Sequence, residues 1–374
     1  MRKVYLDNAS TTAILPEVIA EMTKVLSDDF GNPSSTHSFG RSGKVLLETA
    51  RKSIAKQINA AASEIIFTSC GTEANNWILR SAVKDLDVKR IITSKIEHHA
   101  VLHTVEMLQQ EFGISVDYVA LKNDGTVDFT DLVELLSQEG KTLVSLMHVN
   151  NEIGTVLDLE KAVRITHDYN ALFHSDTVQS IGKTEIDVQK LDIDFLVASA
   201  HKFHGPKGVG FAYLKKNSGL QPIFFGGEQE KGFRAGTEAV HQIVGMAKAL
   251  EMSYFELDSH RTHIKELKDY AIQQIEIVFP EAKINGSTEG FYNILNVMFP
   301  FLEDKTAMIL FHLDMKGIAV SRGSACQSGS VKPSHVLAEI LNDDDLKQPS
   351  LRISFSHFNT KEDIDLLVQA LQTV

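Results

Sequence analysis

The chain is poor in cysteine: among 374 residues there are two, Cys70 and Cys326, far apart in sequence. That scarcity excludes a disulfide framework and any CxxC zinc site, and it points to a reducing compartment, the cytoplasm. No apolar run approaches the ~18 residues that a membrane span needs. None follows the basic start of MRKVYLDNASTT either, so neither a membrane segment nor a signal peptide is expected. Positive charge is also short. A formal net charge of -12 argues against a direct grip on nucleic acid or on an anionic membrane. Repeats, biased tracts and a flexible interdomain linker are missing as well. What is there is the composition of an ordinary enzyme, 43% hydrophobic and 23% charged, in a length that suits two closely packed domains.

Short β-branched runs alternate with amphipathic helical stretches. EIIFT (64–68), RIITS (90–94), TLVSLMHV (142–149), ALFHSD (171–176) and IDFLVAS (193–199) read as strands, and GVGFAYL (208–214) adds another after a glycine-rich turn. Continuous apolar strands separated by helices imply an α/β fold whose large domain holds a mostly parallel sheet flanked by helices. Past about residue 255 the pattern thins. A charged helical stretch (roughly 236–278), YNILNVMF, a helix near 304–315, a Gly/Ser loop and LRISF with a final helix suggest a smaller α+β domain. The expected division is 14–255 for the large domain, with 1–13 and 256–374 forming the smaller one.

Ligands of open α/β sheets bind beyond the carboxyl ends of the strands, and here those ends are dense in polar groups. Cys70-Gly71-Thr72-Glu73 follows one strand, Glu97-His98-His99 the next, then Asn150-Asn151-Glu152, then Asp176 with Gln179, then Ser199-Ala200-His201-Lys202. CGTEANN puts backbone N–H groups and the Thr72 hydroxyl at a helix start, which suits phosphate, although an ordinary helix cap explains it equally. Neither a Walker lysine nor GxGxxG is present, so a P-loop or dinucleotide site is unsupported. In SAHKFHGPKGVG (199–210), Lys202 stands at a strand end before a rigid turn, where a lysine with a lowered pKa can form a Schiff base. The plainer reading is a solvated basic loop. A rival reading makes His201 and His204 metal ligands, but no convincing third ligand accompanies them, and no metal is assigned. Asp176 in HSDTVQS is the kind of acid a pyridinium nitrogen needs, or else a helix cap. In SRGSACQSGS (321–330), Cys326 is set among small residues as an accessible nucleophile would be, whereas Cys70 abuts an apolar strand and reads as structural or merely close to a cofactor.

In these residues the chain resembles the cysteine desulfurases of the NifS/IscS type, in the class V branch of the fold-type I enzymes that use pyridoxal 5'-phosphate (PLP). The resemblance runs nearly end to end, through YLDNASTT, FGNPSSTH, FTSCGTEANN, EHHAV, MHVNNEIGT, HSDTVQS, SAHKFHGPKGVG, GFRAGTE, SRGSAC and SLRISFS in family order. Its GSAC loop is similar to that of the first group of the family. The resemblance implies that Lys202 holds PLP covalently, that Asp176 pairs with the pyridinium nitrogen and Gln179 with the ring hydroxyl, and that His98 stacks on the ring and shuttles protons. It implies a phosphate site of Gly71, Thr72, Ser199 and His201, with Thr237 supplied by the partner of a homodimer, and a substrate-carboxylate site of Asn151 and Arg352. The implied reaction converts L-cysteine to L-alanine, with Cys326 receiving the sulfur as a persulfide for an acceptor protein, such as an iron–sulfur scaffold or a tRNA-thiolation enzyme. At an ordinary thiol pKa of ~8.5 only a few per cent of Cys326 is thiolate at neutral pH; Arg322, Lys332 or His335 are the nearby groups that could raise that fraction. Three departures stand out: Glu228 in GGEQEKG where a third glycine is common, His99 where a lysine is common, and a chain that ends soon after Arg352. The alternatives are another PLP reaction, transamination or selenocysteine cleavage, and a scaffold that has lost its chemistry.

Overall fold

The computed structural model describes residues 2–306, 308–323 and 334–374; Cys326 lies outside them. Seven strands make the central sheet: β2 (Ile65–Thr68), β3 (Arg90–Thr93), β4 (Ser115–Tyr118), β5 (Thr142–Ser145), β6 (Leu172–Asp176), β7 (Phe195–Ser199) and β8 (Gly210–Leu214), in the order β2-β8-β7-β6-β5-β3-β4. β4, β3, β5, β6 and β7 pair in parallel, while β8 runs antiparallel to both β2 and β7. β2, β5, β7 and β8 are buried at every position, as strands covered on both faces must be. The expected α/β architecture is present, with one antiparallel insertion. Gly208 takes φ +80, a left-handed turn that delays β8 until Gly210 and turns it back between β2 and β7.

One large apolar core packs the helices Pro16–Asp28, Ser38–Gln57 and Val240–Phe255 against one face of this sheet, and another packs Gly71–Asp85 and His99–Phe112 against the other. A separate core gathers Val4 and Leu6 with residues of 264–371 around an antiparallel sheet, β12 (Ser350–Ser354), β10 (Ile294–Met298) and β9 (Lys283–Ile284). β1 (Val4–Tyr5) pairs in parallel with β11 (Ile318–Ala319). The start of the chain thus packs with its end and not with the sequence that follows it.

Several boundaries differ from the expected ones. The stretch 236–278 is two helices, Val240–Phe255 and Leu257–Val278, separated at Glu256, whose φ of -100 and ψ of 13 leave the helical region. The helix expected near 304–315 is shorter, Ile309–Met315. The strand expected over 142–149 stops at Ser145 because β3 no longer accompanies it past Val144, and the chain bends there to present Asn150 and Asn151.

Candidate active site

Each of the five strand ends singled out from sequence sends at least one polar group to a common place. β2, β3, β5, β6 and β7 point the same way, so the loops leaving them meet at one edge of the sheet. There a cavity of about 240 Å³ is lined by Cys70, Gly71, Thr72, Asn75, His98, Met147, Asn151, Asp176, Val178, Gln179, Ser199, His201, Lys202 and Arg352, with Ala9 and Ser10 from the N-terminal segment. Of the described residues assigned a role toward cofactor or substrate from sequence, Thr237 alone stands apart: it is exposed, outside this lining.

The walls fix these side chains one by one. Gly71 opens the helix Gly71–Asp85, and a Cβ on it would come within 2.6 Å of Val178 Cγ2, so only glycine lets the helix start sit this close to the loop after β6. Asp176 ends β6, 5% exposed. Its Oδ2 accepts from Asn75 Nδ2 at 2.7 Å and its Oδ1 from the Val178 N–H at 3.0 Å. Gln179 Nε2 donates to the Ala9 carbonyl at 2.8 Å. Lys202 Nζ donates to the carbonyls of Ala9 and Ser10 at 2.7 and 2.8 Å. His98 caps the helix His99–Phe112 with Nδ1 accepting from the Ala100 N–H at 3.1 Å, which leaves Nε2 to carry the ring proton. Burial pushes its pKa down, against the pull of Asp176. Burial and the charge of Lys202 likewise press His201 down to about 3, and its Nδ1 meets Thr11 Oγ1 at 3.1 Å. His204 instead faces the Ala13 carbonyl at 2.8 Å. The two histidines therefore turn their Nδ1 atoms to different partners, and among the described residues no group of three His, Cys, Asp or Glu is placed to hold a metal.

Arg352, on β12, is 1% exposed. Its Nη1 donates to the Asn151 carbonyl at 2.9 Å, and its Nη2 to Asp7 Oδ1 at 2.8 Å and Ser10 Oγ at 2.5 Å. Strand and guanidinium thus bind the second core to the sheet edge, with a cation in the wall. The flanks of the cysteine segment reach the same place. Ser321 and Arg352 exchange backbone hydrogen bonds of 3.2 and 2.7 Å. Ser334 Oγ donates to Glu152 Oε2, and His335 Nε2 lies 2.9 Å from the Glu97 carbonyl. His99, one of the departures, stacks on His103 with ring centroids 4.7 Å apart and meets the His335 ring at a tilt, 4.5 Å between centroids.

Two of the supporting groups leave no local trace in the sequence. The Ala9 and Ser10 carbonyls belong to a segment whose place is set by the end of the chain. Glu230, not Glu228, is the acid that matters in GGEQEKG: buried, it accepts from Arg51 Nη1 and Nη2 at 2.7 Å each and from the Phe67 N–H at 2.7 Å. No local pattern joins residues so far apart. Glu97 is fully enclosed, and burial lifts its pKa from 4.5 to about 8, so it holds a proton at neutral pH. The folded state therefore binds this proton more tightly than the unfolded chain. The stabilisation is complete below about 4.5 and is lost as pH rises through about 8. Glu97→Gln is expected to flatten the decline in unfolding free energy across that window, measured by urea titration at both ends; an unchanged decline contradicts it.

The pocket's chemistry fits PLP. Ser199 Oγ is buried without a partner among the described residues, beside the helix start at Gly71 and Thr72 and next to His201. That is a cradle of donors for a phosphate. Across the cavity stand a buried acid, Asp176, and an amine, Lys202, the pair a pyridine ring and its aldehyde require.

Residues 4–367 match the family described as Aminotransferase class-V. The chain is 42% identical to "Cysteine desulfurase IscS" of Dictyoglomus turgidum, covering 100% of this chain and 94% of that protein. It is also 42% identical to "Putative cysteine desulfurase IscS 1" of Bacillus subtilis, covering 97% and 96%. A solved structure described as "NIFS-LIKE PROTEIN" superposes with a TM-score of 0.91 at 36% identity, over 100% of this chain and 99% of that one. Another, "SspA in complex with cysteine", gives 0.81 at 31% over 96% and 100%.

Proposed function

The chain belongs to the aminotransferase class-V family, and we propose that it is a PLP-dependent cysteine desulfurase, converting L-cysteine to L-alanine and passing the sulfur through a persulfide on Cys326. The observation that carries this reading is the convergence of Lys202, Asp176, His98 and the unpartnered Ser199 hydroxyl in one cavity, with the flanks of the Cys326 segment tied to its rim.

Gly71, Thr72, Ser199 and His201 would hold the phosphate, Asp176 and Gln179 the ring edge, and Lys202 the aldehyde carbon; bound there, PLP supplies the electron sink for chemistry at the substrate Cα. Lys202, once its amine is released, is the base that moves the Cα proton. His98 carries its proton on Nε2 and is neutral, so it can donate and regain it without burying a charge. Arg352 and Asn151 take the substrate carboxylate, with the planar guanidinium giving a fixed orientation. Cys326, three positions past Gly323 in sequence, supplies the nucleophile. Its thiolate attacks the substrate sulfur: an S–S bond forms as the C–S bond breaks, and the methyl carbon of alanine gains a proton.

The remaining parts of the reading follow from this. Residues 14–255 are the cofactor-binding domain, and 1–13 with 256–374 the second, a division supported by the separate apolar core of the latter. Reduced thiol chemistry suits the cytoplasm; among the described residues no helix is long and apolar enough to cross a membrane. The sulfur leaves to an acceptor protein. Two copies of the chain form the working enzyme: Thr237 is exposed, and so are the stacked rings of Phe30 and Phe39, an apolar surface of the kind that interfaces cover. Light scattering is expected to give a dimer, and Thr237→Ala to weaken PLP binding by roughly three- to tenfold, the worth of one hydrogen bond. A fully loaded, active monomer contradicts it. The function itself is tested by amino-acid analysis after feeding L-cysteine to the PLP-loaded protein: alanine is expected, and pyruvate in its place overturns the reading.

A further inference from the structure

Behind the cavity wall lies a group that the chemistry above does not use. Lys183, in the turn after β6, is buried, and among the described residues no carboxylate offsets its charge. A buried amine without a counter-charge is costly, and it calls for a reason. Its Nζ donates to Gln179 Oε1 at 3.3 Å. Gln179 in turn donates Nε2 to the Ala9 carbonyl, the same carbonyl that accepts from Lys202 Nζ. A continuous chain of contacts, Lys183–Gln179–Ala9–Lys202, thus runs from outside the cavity to its amine.

The surroundings of Lys183 add no anion. On its far side stand His204, His260, His357 and Tyr292, with the Tyr292 hydroxyl donating to the Lys183 carbonyl at 3.0 Å. His201 and His204 both feel its charge. Glu256 faces His260, and Glu185 faces Tyr254, one step further out.

We propose that Lys183 is a positioning residue for the cofactor pocket: it holds the Gln179 amide by its carbonyl edge, and it places a second cationic group beside Lys202. With Oε1 engaged by Lys183 and one Nε2 hydrogen on Ala9, the amide keeps its other Nε2 hydrogen as the donor for an oxygen of the bound ring. The like charge also disfavours protonation of the Lys202 nitrogen, which must be neutral to attack an aldehyde. Burial, then the charge of Lys202, lowers the pKa of Lys183 to about 7, so the mutual effect operates near neutral pH. The inference rests on the PLP reading above.

Lys183→Met tests it, because methionine is of similar length and removes the buried amine. The melting temperature is expected to hold or rise, the opposite of what a merely structural lysine would give. PLP affinity is expected to fall roughly three- to tenfold as Gln179 loses its anchor, and in a Gln179→Ala background the same substitution is expected to cost no further affinity. The pH midpoint of the visible band of the PLP-loaded protein is expected to rise by on the order of half a unit or more, since the Lys202 nitrogen loses a like-charged neighbour. Lys183→Gln, the second variant, is expected to shift the midpoint the same way. A midpoint equal to that of the unaltered protein in these variants overturns the inference alone. An unaltered protein that takes up no PLP overturns the proposed function with it.

Discussion

Lys202→Ala is expected to bind PLP without a covalent link and to lose alanine formation by on the order of 10⁴-fold or more, the scale on which removal of a covalent catalytic group falls. The expectation follows from placement. The Lys202 amine lies in the cavity wall with its Nζ held by the Ala9 and Ser10 carbonyls, and Lys183, a buried lysine nearby, is outside that lining with its Nζ on Gln179 Oε1. Both protein carbonyls can only accept, so they orient the amine without consuming its lone pair when it is neutral. Borohydride reduction of the loaded protein followed by peptide mapping is the check: the pyridoxyl label belongs on Lys202, and a label on another lysine defeats the assignment.

Cys326→Ser separates the two halves of the reaction. The variant is expected to bind PLP as the unaltered protein does and to show the same visible-band change on adding cysteine, because every group that lines the cavity is intact. Alanine output is nevertheless expected to fall by on the order of 10⁴-fold or more, since a serine hydroxyl is a poor nucleophile toward sulfur and cannot hold a persulfide. Cys70→Ser is the control. Cys70 lines the cavity at the start of a helix, with Ser69 Oγ at 3.6 Å from its sulfur, and no step above uses its thiol, so most of the activity should persist. Spectral change with full alanine output in Cys326→Ser removes the cysteine from the mechanism.

Much of this site was legible in the sequence, for a physical reason. In a sheet buried on both faces, polar residues are tolerated at the strand ends, so Asp176, Ser199 and Lys202 stood out against β6 and β7 as groups that burial had to account for. What could not be read locally depends on contacts between distant segments. The Ala9 carbonyl that meets Lys202 is 193 positions away, Arg352 meets Asp7 across 345, and Arg51 meets Glu230 across 179. Neither periodicity nor a motif encodes such partners. The antiparallel course of β8 was hidden for a related reason: its apolar run is the same whichever way the strand points. The break at Glu256 carries no glycine or proline, so the helical stretch 236–278 reads as continuous even though the pattern thins there. The cysteine segment was the reverse case, distinctive in sequence but outside the described residues, so its assignment rests on composition, the family and its anchored flanks.

On the proposed mechanism, sulfur moves from substrate to Cys326 as alanine forms. A single-turnover experiment decides this: PLP-loaded protein, freed of thiols, is mixed with L-cysteine, and alanine and the mass of the Cys326 peptide are followed together. Alanine and one added sulfur on Cys326 are expected in a one-to-one ratio, rising at the same rate. Alanine released with Cys326 unmodified would contradict it.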